Sequence, residues 1–354
     1  MTRGGVGGGR LLVALAGAAG GFALLELAGV ADGRGALIVA VSLLASVAQG
    51  TVAAAAASDL TGARWIGSVR KDLLVGARLQ PLLALLFLLL WPRLGLYPWA
   101  AEPGEWLNRP FFLARNVALL GAVALLARLY ADRALRGDPA TKPFAVAYLF
   151  AFFVSQTLVG FDWFMSLAYP WVSSMFAFYF PVEAFYVGVA VAGLLFLARG
   201  RGGGLGARGA AAARDVGLLL FGFSVLWGGL FFAQFLLLWY GNLPEEVSFI
   251  TERLADGRTR ALMPTFIAAC WAIPFFGLLP EGAKRRPGVV AAVSVSVLLG
   301  ILAERLLLVL PGTPVGGAVL TAELALVAGA WILARPRADE PGGADAGAAA
   351  GGGK

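Results

Sequence analysis

The sequence predicts an all-α polytopic membrane protein of about ten transmembrane helices. Three observations carry that expectation. Apolar runs close to the roughly 20 residues needed to cross a hydrocarbon core recur along the chain. Only 14% of the residues are charged, against about 25% in soluble globular proteins. Lysine and arginine collect in every second connection between the runs, as insertion topology requires. No alternating pattern long enough for a β-barrel interrupts the series.

The elements follow in order. Residues 1–10 are glycine-rich and basic, and the first span covers 11–30 with Glu26 near its far end. A signal peptide is the alternative reading of this basic, then apolar and alanine-rich stretch; its length and that acid weigh against it. The second span, 36–57, runs into Ser58-Asp59-Leu60-Thr61-Gly62-Ala63-Arg64-Trp65, a polar turn with an interfacial tryptophan. Residues 66–80 read as a basic amphipathic approach to a third span that ends at Trp91-Pro92, and Trp99 and Trp106 mark the loop beyond. The fourth span, 111–130, contains Arg115; the fifth, 144–166, contains Gln156 and Asp162; the sixth, 174–198, contains Glu183 close to Pro181. The stretch 199–214 reads as a flexible Gly/Ala/Arg linker. The seventh span, 216–240, contains Gln234 and ends in Trp239-Tyr240 before the break Gly241-Asn242-Leu243-Pro244 and the acids Glu245-Glu246. A polar, partly helical connection, 241–260, leads to the eighth span, 261–279, with kinks expected at Pro264 and Pro274. The ninth span, 289–310, carries Glu304-Arg305, and the tenth, 319–334, carries Glu323. Residues 1–334 thus form a single transmembrane helical domain, and 335–354 a low-complexity, disordered tail.

The distribution of lysine and arginine places both termini in the cytoplasm. The net charge of +7 arises from these short loops and does not indicate nucleic-acid binding. With no histidine and one cysteine, Cys270, the chain lacks the ligands for haem, an iron–sulfur cluster or structural zinc, and no disulfide can form within it.

Ionisable groups inside spans are expensive and commonly functional. In this orientation Glu26, Arg115, Asp162, Gln234, Glu304, Arg305 and Glu323 fall in the outer half, and Gln156 and Glu183 near the midplane. The cytoplasmic half offers mainly Asp59, Arg64 and Arg78. Each has an ordinary structural reading. Helical neighbours point about 100° apart, so Glu304 and Arg305 should each pair with another helix. Asp162 can cap or anchor a helix at the interface, Gln234 can bond two helices, and Glu245-Glu246 can be a solvated helix start. Glu183 is harder to explain structurally, because it lies deep on an aromatic-rich helix. A quinol headgroup needs stacking walls, an acceptor and a carboxylate in reach of solvent; a proton path needs carboxylates spaced along the bundle. Asp162, Glu183, Gln234, Gln156, Glu304, Arg305 and Glu323 are candidates for either use, which residue types alone do not separate. No electron carrier is read in the chain, so quinol oxidation here would need an acceptor on a partner subunit.

Two stretches carry a family resemblance. Phe161-Asp162-Trp163-Phe164-Met165-Ser166-Leu167, followed by Trp171-Val172-Ser173-Ser174-Met175-Phe176, resembles the signature of the ActF-type membrane subunit of alternative complex III. That complex is a bacterial quinol:cytochrome c oxidoreductase, and the subunit belongs to the NrfD/PsrC-like group. Ala233-Gln234-Phe235 through Trp239-Tyr240-Gly241-Asn242-Leu243-Pro244-Glu245-Glu246 is a more specific similarity. Leu60-Thr61-Gly62-Ala63-Arg64-Trp65, Pro274-Phe275 with Lys284-Arg285, and the helix end 304–311 extend it over most of the chain, in the family's order. The resemblance implies two four-helix bundles plus two extra helices in the bacterial inner membrane. It implies partners in respiratory or photosynthetic electron transport: an iron–sulfur protein, a multihaem cytochrome c and a sister ten-helix subunit. The sister is the family's better candidate for the quinol or menaquinol site, which would leave this subunit as scaffold and proton path, with Trp239, Tyr240, Asn242, Glu245 and Glu246 docking partners. The chain departs from the family where members often carry histidine: at Ser58-Asp59, at Pro170 and at Cys270. Roles that depend on those histidines do not carry over. Outside the family, a stand-alone proton or solute transporter or channel, or a purely structural anchor, are the competing readings.

Overall fold

The computed structural model describes residues 5–28, 34–201 and 206–335. Its helices are α1 (Gly5–Leu27), α2 (Ala36–Thr61), α3 (Arg70–Leu73), α4 (Val75–Leu88), α5 (Arg109–Arg136), α6 (Thr141–Leu158), α7 (Phe176–Arg201), α8 (Gly206–Gly241), α9 (Pro244–Ala255), α10 (Gly257–Ile267), α11 (Ile273–Leu278), α12 (Glu281–Lys284), α13 (Pro287–Val309) and α14 (Gly317–Ala334). Strands are absent among the described residues. Eight helical segments are long and apolar enough to cross a membrane, two of them continuous through a π-turn, and Leu11–Glu26 is a shorter apolar helix. The third expected span is shorter still: α4 has 14 residues, roughly 21 Å at 1.5 Å per residue. The chain is therefore an all-α polytopic membrane protein.

The helices sort into two groups of four. α2, α4, α5 and α6 pack together; α7, α8, α13 and the α10–α11 segment form the second group. α2 against α7 is the seam between them, and α1 pairs with α14 along α2 and α4. The seam is close enough to require glycine on both sides. A Cβ added at Gly188 would lie 2.1 Å from the Gly50 carbonyl oxygen, and one at Gly50 would lie 1.8 Å from that of Ala184. Backbone contact of this kind is how membrane helices gain packing energy where lipid offers no hydrophobic drive.

The two ends differ in chemistry. One carries Arg64, Arg70, Arg133, Arg136, Lys284 and Arg285, and is called the basic end. The other carries Trp91, Trp106, Tyr169, Trp239 and Tyr240 at exposed positions, and is called the aromatic end.

Two expectations need correction. The 199–214 stretch is mostly helix, because α7 runs to Arg201 and α8 begins at Gly206; its alanines sustain helix where glycine content alone suggested a linker. Only 202–205 lie outside the described residues. The 66–80 approach is amphipathic as read: Gly67 and Lys71 are exposed, while Ile66, Val69, Leu73, Leu74 and Leu79 are buried under the bundle. The 241–260 connection is helical almost throughout, as α9 and the start of α10. The tail expected at 335–354 lies outside the described residues except for Arg335, which pairs with Asp72 at 2.9 Å. Of the two expected kinks, Pro274 follows directly on the π-turn Ala268–Ala272. Proline there has no N–H for the Cys270 carbonyl, which instead accepts a hydrogen bond from the Tyr186 hydroxyl at 3.2 Å.

Candidate functional site

Tyr179 and Glu183 lie one turn apart on α7, on the face turned to α13. Neighbours on α13, Glu304 and Arg305 diverge as their spacing requires. Arg305 forms a fully buried ion pair with Glu183, and the Tyr179 hydroxyl donates to Glu304 Oε1. A weaker contact of 3.9 Å joins Arg305 Nη1 to Glu304 Oε2. The guanidinium carbon sits 4.6 Å and 4.9 Å from the ring centroids of Phe180 and Phe164. Two carboxylates and one guanidinium thus share a water-poor volume, and Glu183 Oε2, Glu304 Oε2 and Arg305 Nε keep no hydrogen-bond partner among the described residues. Orphaned oxygens of this kind are where a mobile proton, water or ligand hydroxyl gains most by binding.

Tyr179 and Glu304 of this cluster form the floor of a cavity of about 90 Å³, with the Glu183–Arg305 pair behind them. Its walls are Phe180 of α7, Phe231, Gln234 and Phe235 of α8, and Phe266 of α10; its roof is α9, through Phe249 and Arg253. Trp171 holds the roof down: its ring stacks 3.8 Å from Phe249, and its indole N–H donates to the Glu246 carbonyl at 3.2 Å. Arg253 donates to the Phe249 carbonyl at 2.7 Å and the Leu308 carbonyl at 3.4 Å, satisfying an end of α13. Its Nε has no partner among the described residues, and burial pulls the guanidinium down to about 10. Sequence reading missed Arg253. The signal was there in the four-residue spacing of Phe249 and Arg253 on an amphipathic helix. Gln234 faces the cavity and accepts from the Ser173 hydroxyl at 2.5 Å.

A second set of buried polar groups fills the other bundle and corrects the expectation of a weakly polar basic half. Asp59 takes Arg70 at 2.5 Å and the Tyr130 hydroxyl at 2.7 Å. The Tyr130 ring stacks 6.3 Å from Tyr148, whose hydroxyl donates to the Gln49 carbonyl at 2.8 Å and accepts from Gln80 at 3.1 Å. Gln156 donates to Gln49 Oε1 at 2.9 Å, and Gln49 donates to Ser155 at 3.1 Å. Ser46, nearly one turn from Gln49 on α2, meets Arg305 Nη2 at 3.4 Å. Buried polar side chains therefore run from Asp59 at the basic end to Glu304 below the cavity. Uncharged amides and phenols supply most of this run.

The remaining candidates lie elsewhere. Asp162 sits in the π-turn Val159–Phe164 and is fully occupied: Arg115 donates to both its oxygens at 2.8 Å, Asn116 at 2.6 Å, and Trp106 at 3.4 Å. Asn116 in turn accepts from the Trp163 indole at 2.9 Å. Glu323 is buried on α14, apart from the cavity. Trp239 and Tyr240 project from the aromatic end, 66% and 84% exposed, with Glu245 exposed beside the left-handed turn at Asn242 (φ 46°). Among the described residues no three acidic, cysteine or histidine side chains gather as a metal site.

No protein-family model matches the chain, and no curated protein matches it in sequence.

Proposed function

We propose that this chain is the membrane subunit of a quinol:cytochrome c oxidoreductase of the alternative complex III type, contributing a proton path and a chamber for the quinol headgroup. The observation that carries this reading is the buried polar run from Asp59 to the Tyr179–Glu304 pair, which ends at the floor of an aromatic-walled cavity. By the positive-inside rule the basic end faces the cytoplasm of a bacterial inner membrane, and the cavity lies toward the outer face. The aromatic walls suit a flat ring, Glu304 can take a hydroxyl proton directly or through the Tyr179 hydroxyl, which gives its own proton to Glu304 as it gains one, and Gln234 can orient the second oxygen. Oxidation of one quinol releases two protons and two electrons. The protons enter the Glu304–Tyr179–Glu183 cluster, where Arg305 offsets the negative charge between transfers. The electrons pass to iron–sulfur and multihaem cytochrome partners docked over Trp239, Tyr240, Asn242, Glu245 and Glu246.

The test is mild-detergent purification of the tagged chain, followed by a haem stain and a quinol:cytochrome c assay on what co-purifies. Co-purifying haem and turnover support the reading; a chain that isolates alone, without either, overturns it. One observation favours a second reading. The polar run occupies both halves of the bundle, as a stand-alone proton transporter requires. That reading instead predicts proton flux in vesicles holding this chain alone.

A further inference from the structure

The pairing of α1 with α14 encloses a group that the cavity and the polar run do not use. Glu323 is 0% exposed, and neither of its carboxyl oxygens has a hydrogen-bond partner among the described residues. It lies six residues into α14, roughly 9 Å from the helix start at the aromatic end. Its electrostatic neighbour is Glu26 of α1. Glu26 is itself held by Arg93, at 2.8 Å to the carboxylate and 3.0 Å to its carbonyl. The Arg93 side chain is 24% exposed, so this pair reaches the surface.

We propose that Glu323 is a separate proton-binding site, exchanging with the aqueous phase at the aromatic end past the Glu26–Arg93 pair. A carboxylate stripped of water and of donors is costly, whereas the neutral acid suits an apolar enclosure. A metal ion does not suit it, because calcium or magnesium takes six or more oxygens and no such group forms among the described residues. Among the described residues, the elements packed on α14 offer no other counter-charge at this depth. α2 has a single charged residue, Asp59, which is engaged at the opposite end by Arg70. Arg78 of α4 is bound to the Ala334 carbonyl at 3.1 Å, also at that end, where Arg335 pairs with Asp72. Glu26 and Arg93 therefore control access and field alike. The site is independent of the chamber and stands whether or not quinol binds there.

Infrared difference spectroscopy on the full-length protein in native membranes tests this. Wild type minus Glu323→Gln should show one protonated carboxyl C=O band at neutral pH, shifting when the membranes are moved to heavy water. Glu304→Gln should leave that band in place. Glu26→Gln, which strips Arg93 of its carboxylate, should reduce the band while the protein stays folded. Carboxylate bands in place of the acid band would overturn the assignment. So would an acid band that fails to shift over hours in heavy water, because a sealed acid is a packing element and exchanges with nothing. A Glu323→Asp variant, whose shorter acid would keep the band at a displaced frequency, covers the case in which Glu323→Gln fails to fold.

Discussion

Glu183→Gln tests how the buried cluster is held together. The substitution keeps the shape of the side chain and removes its charge, leaving Arg305 fully buried without its main partner. Removing one member of a buried ion pair typically costs about 3–5 kcal/mol. Part of that is recovered here. Glu304 Oε2 lies 3.9 Å from Arg305 Nη1 and can close on it. With about 1–2 kcal/mol regained from that contact, the net loss should be about 2–3 kcal/mol. Arg305→Met should cost as much or more, because it strands Glu183 and takes away both ring contacts. The double variant Glu183→Gln/Arg305→Met should be less destabilised than the sum of the two by about 2 kcal/mol, the signature of direct coupling. Thermal unfolding of the detergent-solubilised protein, followed through tryptophan emission, gives all four corners of the cycle. Additive effects, or a Glu183→Gln loss under about 0.5 kcal/mol, would refute the claim that the pair is coupled in the folded protein.

Other substitutions separate framework from function. Asp162→Asn breaks a two-oxygen contact to Arg115 and should destabilise by about 3 kcal/mol, with turnover per folded molecule unchanged; a selective loss of turnover would make Asp162 part of the chemistry. Gly188→Ala drives a methyl into the Gly50 carbonyl, and should lower thermal stability by about 3 kcal/mol or prevent assembly; wild-type stability would mean the α2–α7 seam is looser than described. At the basic end, Glu281 accepts from Arg214 at 2.6 Å, and that bond holds its carboxyl below the usual range. The contribution is present above the ordinary carboxylate range and lost as pH falls through the lowered value, so protection of the 281–286 amides, taken relative to their intrinsic exchange rate, should fall on acidification. Exchange insensitive to pH after correction for its intrinsic rate would remove Glu281 as the tether.

The membrane fold was readable because apolar length is a direct consequence of bilayer thickness, and the eight long helices lie where the runs lie. The divergence of Glu304 and Arg305 onto separate partners followed from helical spacing alone. What stayed hidden has physical causes. Gln49, Gln80, Tyr130 and Tyr148 carry no formal charge, so a hydropathy reading passes over them, although together they change the polarity of one whole half. Arg253 lies in a stretch that reads as a polar, partly helical connection, and only the packing of α9 over α13 shows it to be buried. Asp162 was legible as a polar group near an interface. Its saturation by Arg115, Asn116 and Trp106 was not, because those three are brought together by a π-turn and a loop with no sequence marker. Alanine-rich 206–214 reads as linker from sequence because glycine and arginine surround it.

The most direct test of the central claim is quinol-driven proton release and cytochrome c reduction by the purified complex, compared between wild type and Glu304→Gln at equal haem content. The account predicts at least a tenfold loss of turnover in the variant, about 1.4 kcal/mol on the barrier, with assembly intact. Unaltered turnover and proton release would contradict it, because the carboxylate at the cavity floor would then have no part in moving protons.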